Sequence, residues 1–118
     1  MKIRIRSNSL RYRLTRSEVE QFAREGVFKE KVTIGDESLV YLLQRTAELE
    51  VRATLHTNLI TLLVPESIAH EWITTDKVGF DTHNGLLHIL VEKDFTCLDN
   101  IEEDQSDNYP NPLAEKRL

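Results

Sequence analysis

Chemically suggestive residues stand at the very start of this sequence. Lys2, Arg4, Arg6, Arg11 and Arg13 alternate with Ile3, Ile5, Leu10, Tyr12 and Leu14. A period of two puts the apolar side chains on one face of a β-strand and the cations on the other. If the two segments are neighbouring strands, the cations cluster. Like charges held close repel, so the cluster wants an anionic partner. Guanidinium groups suit carboxylate and phosphate, which they grip through two parallel hydrogen bonds. Arg4, Arg6, Arg11 and Arg13 are therefore the candidate anion- or partner-binding residues. The plain alternative is the solvated outer face of an antiparallel sheet.

A second set is acidic: Glu92, Asp94, Asp99, Glu102, Glu103, Asp104 and Asp107. Hard divalent cations take several oxygen ligands, and Asp94, Glu102, Glu103 and Asp104 are the candidates to hold one. The run lacks the spacing of an EF-hand loop, and charge runs are ordinarily solvated. The basic and acidic sets also answer each other. An acidic segment folded back over the arginines would supply their counter-charges. Exposed ion pairs contribute only about 0–1 kcal/mol each, so docking needs apolar anchors too. Phe95, Leu98, Ile101 and Tyr109 are spaced to provide them.

A third set lies on the last hairpin. With Asn84-Gly85 as its two-residue loop, His83 faces Leu86 and Asp81 faces His88. Asp81, His83 and His88 then share a face, a ligand set that zinc or another transition metal accepts, with the two histidines diagonal to each other. Polar residues on an outer sheet face are the ordinary reading. His70 falls on the polar side of a helix and needs no function. The lone cysteine, Cys97, excludes an intrachain disulfide framework and reads as a structural thiol. No dinucleotide fingerprint, phosphate-binding glycine loop, nucleophile elbow or zinc-protease motif occurs. No cofactor is expected.

The elements that must position these residues follow from patterning. The 118 residues suit one domain. Residues 2–6 and 10–14 read as strands joined by Ser7-Asn8-Ser9. Thr15-Arg16-Ser17-Glu18 is a capping box, with Leu14 and Val19 as hydrophobic staple and Gly26 as terminator. Residues 28–34 and 38–45 form a hairpin around Gly35-Asp36. Residues 48–56 and 59–64 follow, and Pro65 opens a second helix with Ile68, Ala69, Trp72 and Ile73 on its apolar face. Residues 77–83 and 86–94 close the series around Asn84-Gly85.

The order is ββαββ twice. At an offset of 50 residues the halves superpose without a gap: Asn8 on Asn58, Tyr12 on Leu62, Leu14 on Val64, Phe22 on Trp72, Gly35 on Gly85. Each half has too few strands to close its own core, so the halves must pack together. The expected fold is α+β: two ββαββ repeats forming a pseudo-twofold, antiparallel, barrel-like sheet with two helices. Residues 1–95 form the globular domain, with repeat units about 2–45 and 52–95. Residues 96–112 form an acidic, proline-containing extension packed on it, and 113–118 a mobile tail.

Charge is divided along the chain. Residues 1–52 carry a balance of +3 and residues 53–118 a balance of −8. The net acidity, and the absence of an aromatic stacking platform beside the arginines, argue against nucleic acid as a partner. No apolar run reaches the roughly 20 residues of a membrane span, and the N-terminus is charged at once, so a cytoplasmic location is expected. Exposed strand edges leave a homodimer open.

Three blocks, "MKIRIRSNSLRYRLTRSEVEQF", "VPESIAHEW" and "ILVEKDFTCLDNIEEDQSDNYPNP", resemble a family of small bacterial proteins of unknown function. The resemblance implies a free-standing bacterial domain and carries no catalytic residue. Two functions follow from the residues. The first is a non-catalytic binding or interaction domain whose arginine face is opposed by the acidic C-terminal segment, with a protein or small anion as partner. The alternative is a small metal-dependent enzyme acting on a phosphorylated or other anionic substrate. Tunnel enzymes that process triphosphates line a barrel with arginines in that way, but here the arginines would have to point inward.

Overall fold

The computed structural model describes residues 1–95 and 106–110. Its elements run β1 (Lys2–Arg6), β2 (Ser9–Leu14), α1 (Arg16–Glu25), β3 (Val27–Ile34), β4 (Glu37–Thr46), β5 (Arg52–His56), β6 (Leu59–Pro65), α2 (Glu66–Thr74), β7 (Gly79–Asn84) and β8 (Leu87–Lys93). The ββαββ unit therefore occurs twice. The described residues form an α+β fold of two helices and eight strands in two four-stranded sheets.

The halves combine by exchanging hairpins. One sheet has the order β1-β2-β8-β7 and the other β3-β4-β6-β5. Each hairpin is antiparallel, but the central pair of each sheet, β2 with β8 and β4 with β6, is parallel. The expected sheet is thus modified in two respects: its middle pairings are parallel, and no closed barrel forms. Hairpin patterning specifies the pairing inside each hairpin and is silent about which strands meet between hairpins. The repeat is also imperfect in space. His88 donates its N–H to Asn8, whereas Val40, and not Ser38, makes the equivalent bond to Asn58.

The inner faces of the two sheets build the core. Leu10, Tyr12 and Leu14 alternate inward along β2, Tyr41 and Leu43 along β4, Leu62 and Val64 along β6, and Ile89 and Val91 along β8. The helices add Val19, Phe22, Ala69 and Trp72 to the same cluster. Phe22 and Trp72, equivalent in the repeat, lie with ring centroids 6.3 Å apart, and Trp72 meets Phe80 edge-on at 5.9 Å. The Trp72 indole N–H donates to the Val78 carbonyl at 3.0 Å, which fixes the entry into β7.

Two tyrosines tie the sheets together. Tyr12 donates its hydroxyl to the Leu42 carbonyl at 3.2 Å, and Tyr41 donates to the Met1 carbonyl at 2.7 Å. Burial pushes the Tyr12 hydroxyl far above its ordinary pKa, with Tyr41 adding to the shift. Helix α1 starts as its sequence dictates. The Thr15 N–H donates to Glu18 Oε1 at 2.8 Å in a capping box, and Gly26 ends the helix at φ 77°. Glu18 also holds the N-terminal ammonium, shared with Glu30 at 2.7 Å.

Turn geometry shifts one expected register. Gly35 and Gly85 both adopt φ 61°, while neither Asp36 nor Leu86 has positive φ. A glycine at the first loop position is the signature of a type II′ turn. The last hairpin therefore closes around Gly85-Leu86, one residue later than an Asn-Gly loop would, and Asn84 pairs with Leu87.

Candidate binding surface

The outer face of the β1-β2-β8-β7 sheet can be written row by row from the strand register. Arg6, Ser9, His88 and His83 lie side by side in one row. Arg4, Arg11, Leu90 and Asp81 form the next, and Lys2, Arg13, Glu92 and Gly79 the third. The alternation seen in the sequence thus places every cation of β1 and β2 outward. Both helices send their buried side chains into the core, and no described helix or strand lies over this face.

The electrostatics divide the face. Arg11 Nε pairs with Glu92 Oε1 at 2.9 Å, and Lys2 Nζ with Asp94 Oδ2 at 3.0 Å. Among the described residues no carboxylate reaches Arg4, Arg6 or Arg13. Arg4 and Arg11 stand directly opposite each other. Like charges so placed are destabilising by an amount comparable to a favourable cross-strand pair, roughly 0.2–1 kcal/mol, and a bound anion would relieve the repulsion. On one side of this pair is a depression of about 120 Å³ lined by Arg4, Arg6, Ser9, Arg11 and Leu90. On the other is one of about 200 Å³ lined by Lys2, Ile3, Arg4, Arg11 and Arg13. The smaller holds roughly four waters' worth of liquid volume, enough for one carboxylate or phosphate group.

The histidines do not form the expected arrangement. The register puts His83 directly opposite His88, with ring centroids 4.6 Å apart and planes 11° from parallel. Stacked rings do not aim their nitrogens at a common point, and Asp81 reaches only His88, at 3.5 Å. Among the described residues no group of three or more His, Cys, Asp or Glu side chains is placed to hold a metal. Of the acidic candidates, Asp94 is buried against Lys2, and Glu102, Glu103 and Asp104 lie outside the described residues, as does Cys97.

The described part of the extension packs on the first helix and the end of β8. Asp94 donates its N–H to the Leu14 carbonyl at 2.8 Å and accepts from the Tyr109 N–H at 2.8 Å. The Tyr109 ring lies 5.6 Å from that of Phe95, beneath the cations of Arg16 and Lys93. Asp107 accepts from the Ser17 hydroxyl at 2.6 Å and from its N–H at 3.3 Å, at the start of α1. These bonds hold the Asp107 carboxyl below the usual carboxylate range. Lys93 is buried, and its ammonium donates to the Thr75 carbonyl at 2.8 Å; burial lowers its pKa. Sequence patterning gave Tyr109 as an anchor but no signal for the Asp107–Ser17 contact, which depends on a distant segment returning to a helix start.

Fold and face together define a pseudo-twofold α+β domain with a cationic sheet surface turned outward. The chain belongs to a family of unknown function, DUF7009, whose model matches residues 1–113. No curated protein and no solved structure matches it. No described helix is long and apolar enough to cross a membrane.

Proposed function

We propose that this domain is a non-catalytic binding module which engages an acidic partner through the outer face of the β1-β2-β8-β7 sheet. One observation carries the reading: Arg4, Arg6 and Arg13 project from that face without a carboxylate among the described residues, around two depressions of group-sized volume. An enzyme would need convergent acids, bases or metal ligands, and the residues that line the two depressions with Arg4 include no carboxylate, imidazole or thiol. The resemblance to bacterial proteins and the single cysteine support a bacterial, cytoplasmic setting, in which the partner is an acidic protein surface or a small anion.

Titration calorimetry with an oligoglutamate peptide and with inorganic triphosphate tests this. Binding of at least one is expected, weakening as salt shortens the screening length. The double charge reversal Arg4→Glu with Arg6→Glu abolishes it. Absence of binding to both at low ionic strength overturns the proposal.

A further inference from the structure

The arginine face ends at a sheet edge, and that edge borders a second, apolar cavity. Among the described residues β1 has β2 on one side and no strand on the other. Its outer side chains Arg4 and Arg6 line the basic depression described above. Its inner side chain Ile5, 62% exposed, lines a cavity of about 230 Å³ with Leu10, Leu55, Ile60 and Leu87. Ile5 and Leu55, and Leu10 and Ile60, are equivalents in the 50-residue repeat, so this cavity straddles the pseudo-twofold axis. Only strand β1 separates the cationic site from the apolar one.

Among the described residues no hydrogen bond reaches the Ile3 or Ile5 backbone from beyond that edge. The closing pair of a two-residue hairpin exchanges both ladder bonds, and in β1–β2 that pair is Arg6 with Ser9. By alternation Ile3 and Ile5 turn their N–H and C=O groups away from β2. The equivalent edge, β5, confirms the direction and shows a difference. There the Ala53 N–H is capped by Asn84 Oδ1 at 3.0 Å. The offset places Ile34 where Asn84 would stand, and an isoleucine has no acceptor to offer.

Resting on the arginine face as the binding surface, we infer that the partner is an extended segment, alternating acidic and apolar residues, that adds as a strand to the edge of β1. In the antiparallel sense its acidic side chains would stand opposite Arg4 in a non-hydrogen-bonded pair, where side chains approach closest. Its apolar side chains would project toward Ile5 and the axial cavity. Main-chain bonds would give affinity, and the two cavities on alternate sides would give specificity. Self-pairing of two β1 edges is disfavoured, because it would set arginines against arginines. Charged edges also simply guard sheets against aggregation, and that role needs no ligand.

Fluorescence anisotropy with three labelled peptides separates these outcomes. One alternates glutamate and leucine, one is oligoglutamate of equal charge, and one is the alternating peptide N-methylated on every second amide. The alternating peptide is expected to bind at least about tenfold more tightly than oligoglutamate, and N-methylation should remove that gain. The Ile5→Asp variant, altered at an exposed side chain, should lose the gain as well. Equal binding of all three peptides overturns strand addition and leaves the arginine-face reading standing. No binding of any peptide overturns strand addition, and the arginine-face reading falls with it if inorganic triphosphate also fails to bind.

Discussion

Replacing Tyr12 with phenylalanine gives a stability difference whose sign depends on pH. Tyr12 is fully buried between the sheets, and its hydroxyl donates to the Leu42 carbonyl. At neutral pH the Tyr12→Phe variant loses one net hydrogen bond, about 1 kcal/mol. Alkaline pH acts in the opposite direction. Burial raises the Tyr12 pKa well above its ordinary value of 10.0, so the native state keeps the proton that the unfolded chain releases. A group whose folded pKa is raised contributes fully below the unfolded value and loses that contribution as pH rises through the interval. The loss is about 1.4 kcal/mol per pH unit once the unfolded tyrosine is mostly ionised. Phenylalanine has no such loss. The deficit of the variant should therefore shrink above pH 10 and vanish near about pH 10.7, beyond which the variant is the more stable protein. Urea denaturation followed by the fluorescence of Trp72, the only tryptophan, measures both proteins across this range. A deficit that stays constant through pH 11 would refute the enclosure of Tyr12 between the sheets.

Other perturbations probe the parts that position the face. Trp72→Phe should cost about 1–3 kcal/mol, because it removes one of the two donors to the Val78 carbonyl, the other being the Lys93 N–H, and leaves a cavity in the core; circular dichroism during urea unfolding reads the loss. Gly79→Ala should destabilise by roughly 1–3 kcal/mol, because a Cβ there would collide with the Val91 carbonyl oxygen; thermal melts check this. Asp107→Ala should lower the melting temperature at pH 7. Its carboxyl titrates below the ordinary 3.8 in the native state, so its contribution is present above that value and lost as pH falls through the native pKa. The melting temperatures of the variant and the parent should converge in strong acid.

Much of the architecture is legible in the sequence because local rules fix it. Thr15 with Glu18, and Gly26, mark the ends of α1 through capping chemistry alone. Alternation assigns Leu10, Tyr12 and Leu14 to the core and Arg11 and Arg13 to the outside. The 50-residue offset exposes the duplication. What was not legible is long-range. No pattern in β2 says that it lies parallel to β8, and none says that the two sheets stay open. Asn84-Gly85 misled by one residue, since the positive-φ glycine took the first loop position and moved His83 opposite His88. The arginine face was legible residue by residue. The edge beside it was not, because it depends on Asn84 reaching Ala53 while Ile34 cannot act likewise.

The exchange of hairpins has a consequence for how the chain acquires its fold. Each sheet takes one hairpin from the first half and one from the second. When the first half has left the ribosome, β2 and β4 have each found their hairpin mate but not their parallel neighbour. Neither sheet can be completed until β6 and β8 arrive, and the parallel pairings β2 with β8 and β4 with β6 join the two halves, so their meeting is the expected slow step of folding. Two chains meeting at that stage can exchange halves, each completing the other's sheets with the same contacts. Severing the connection at residues 47–50 would turn that hazard into a tool, because co-expressed halves would have each other as their natural partner.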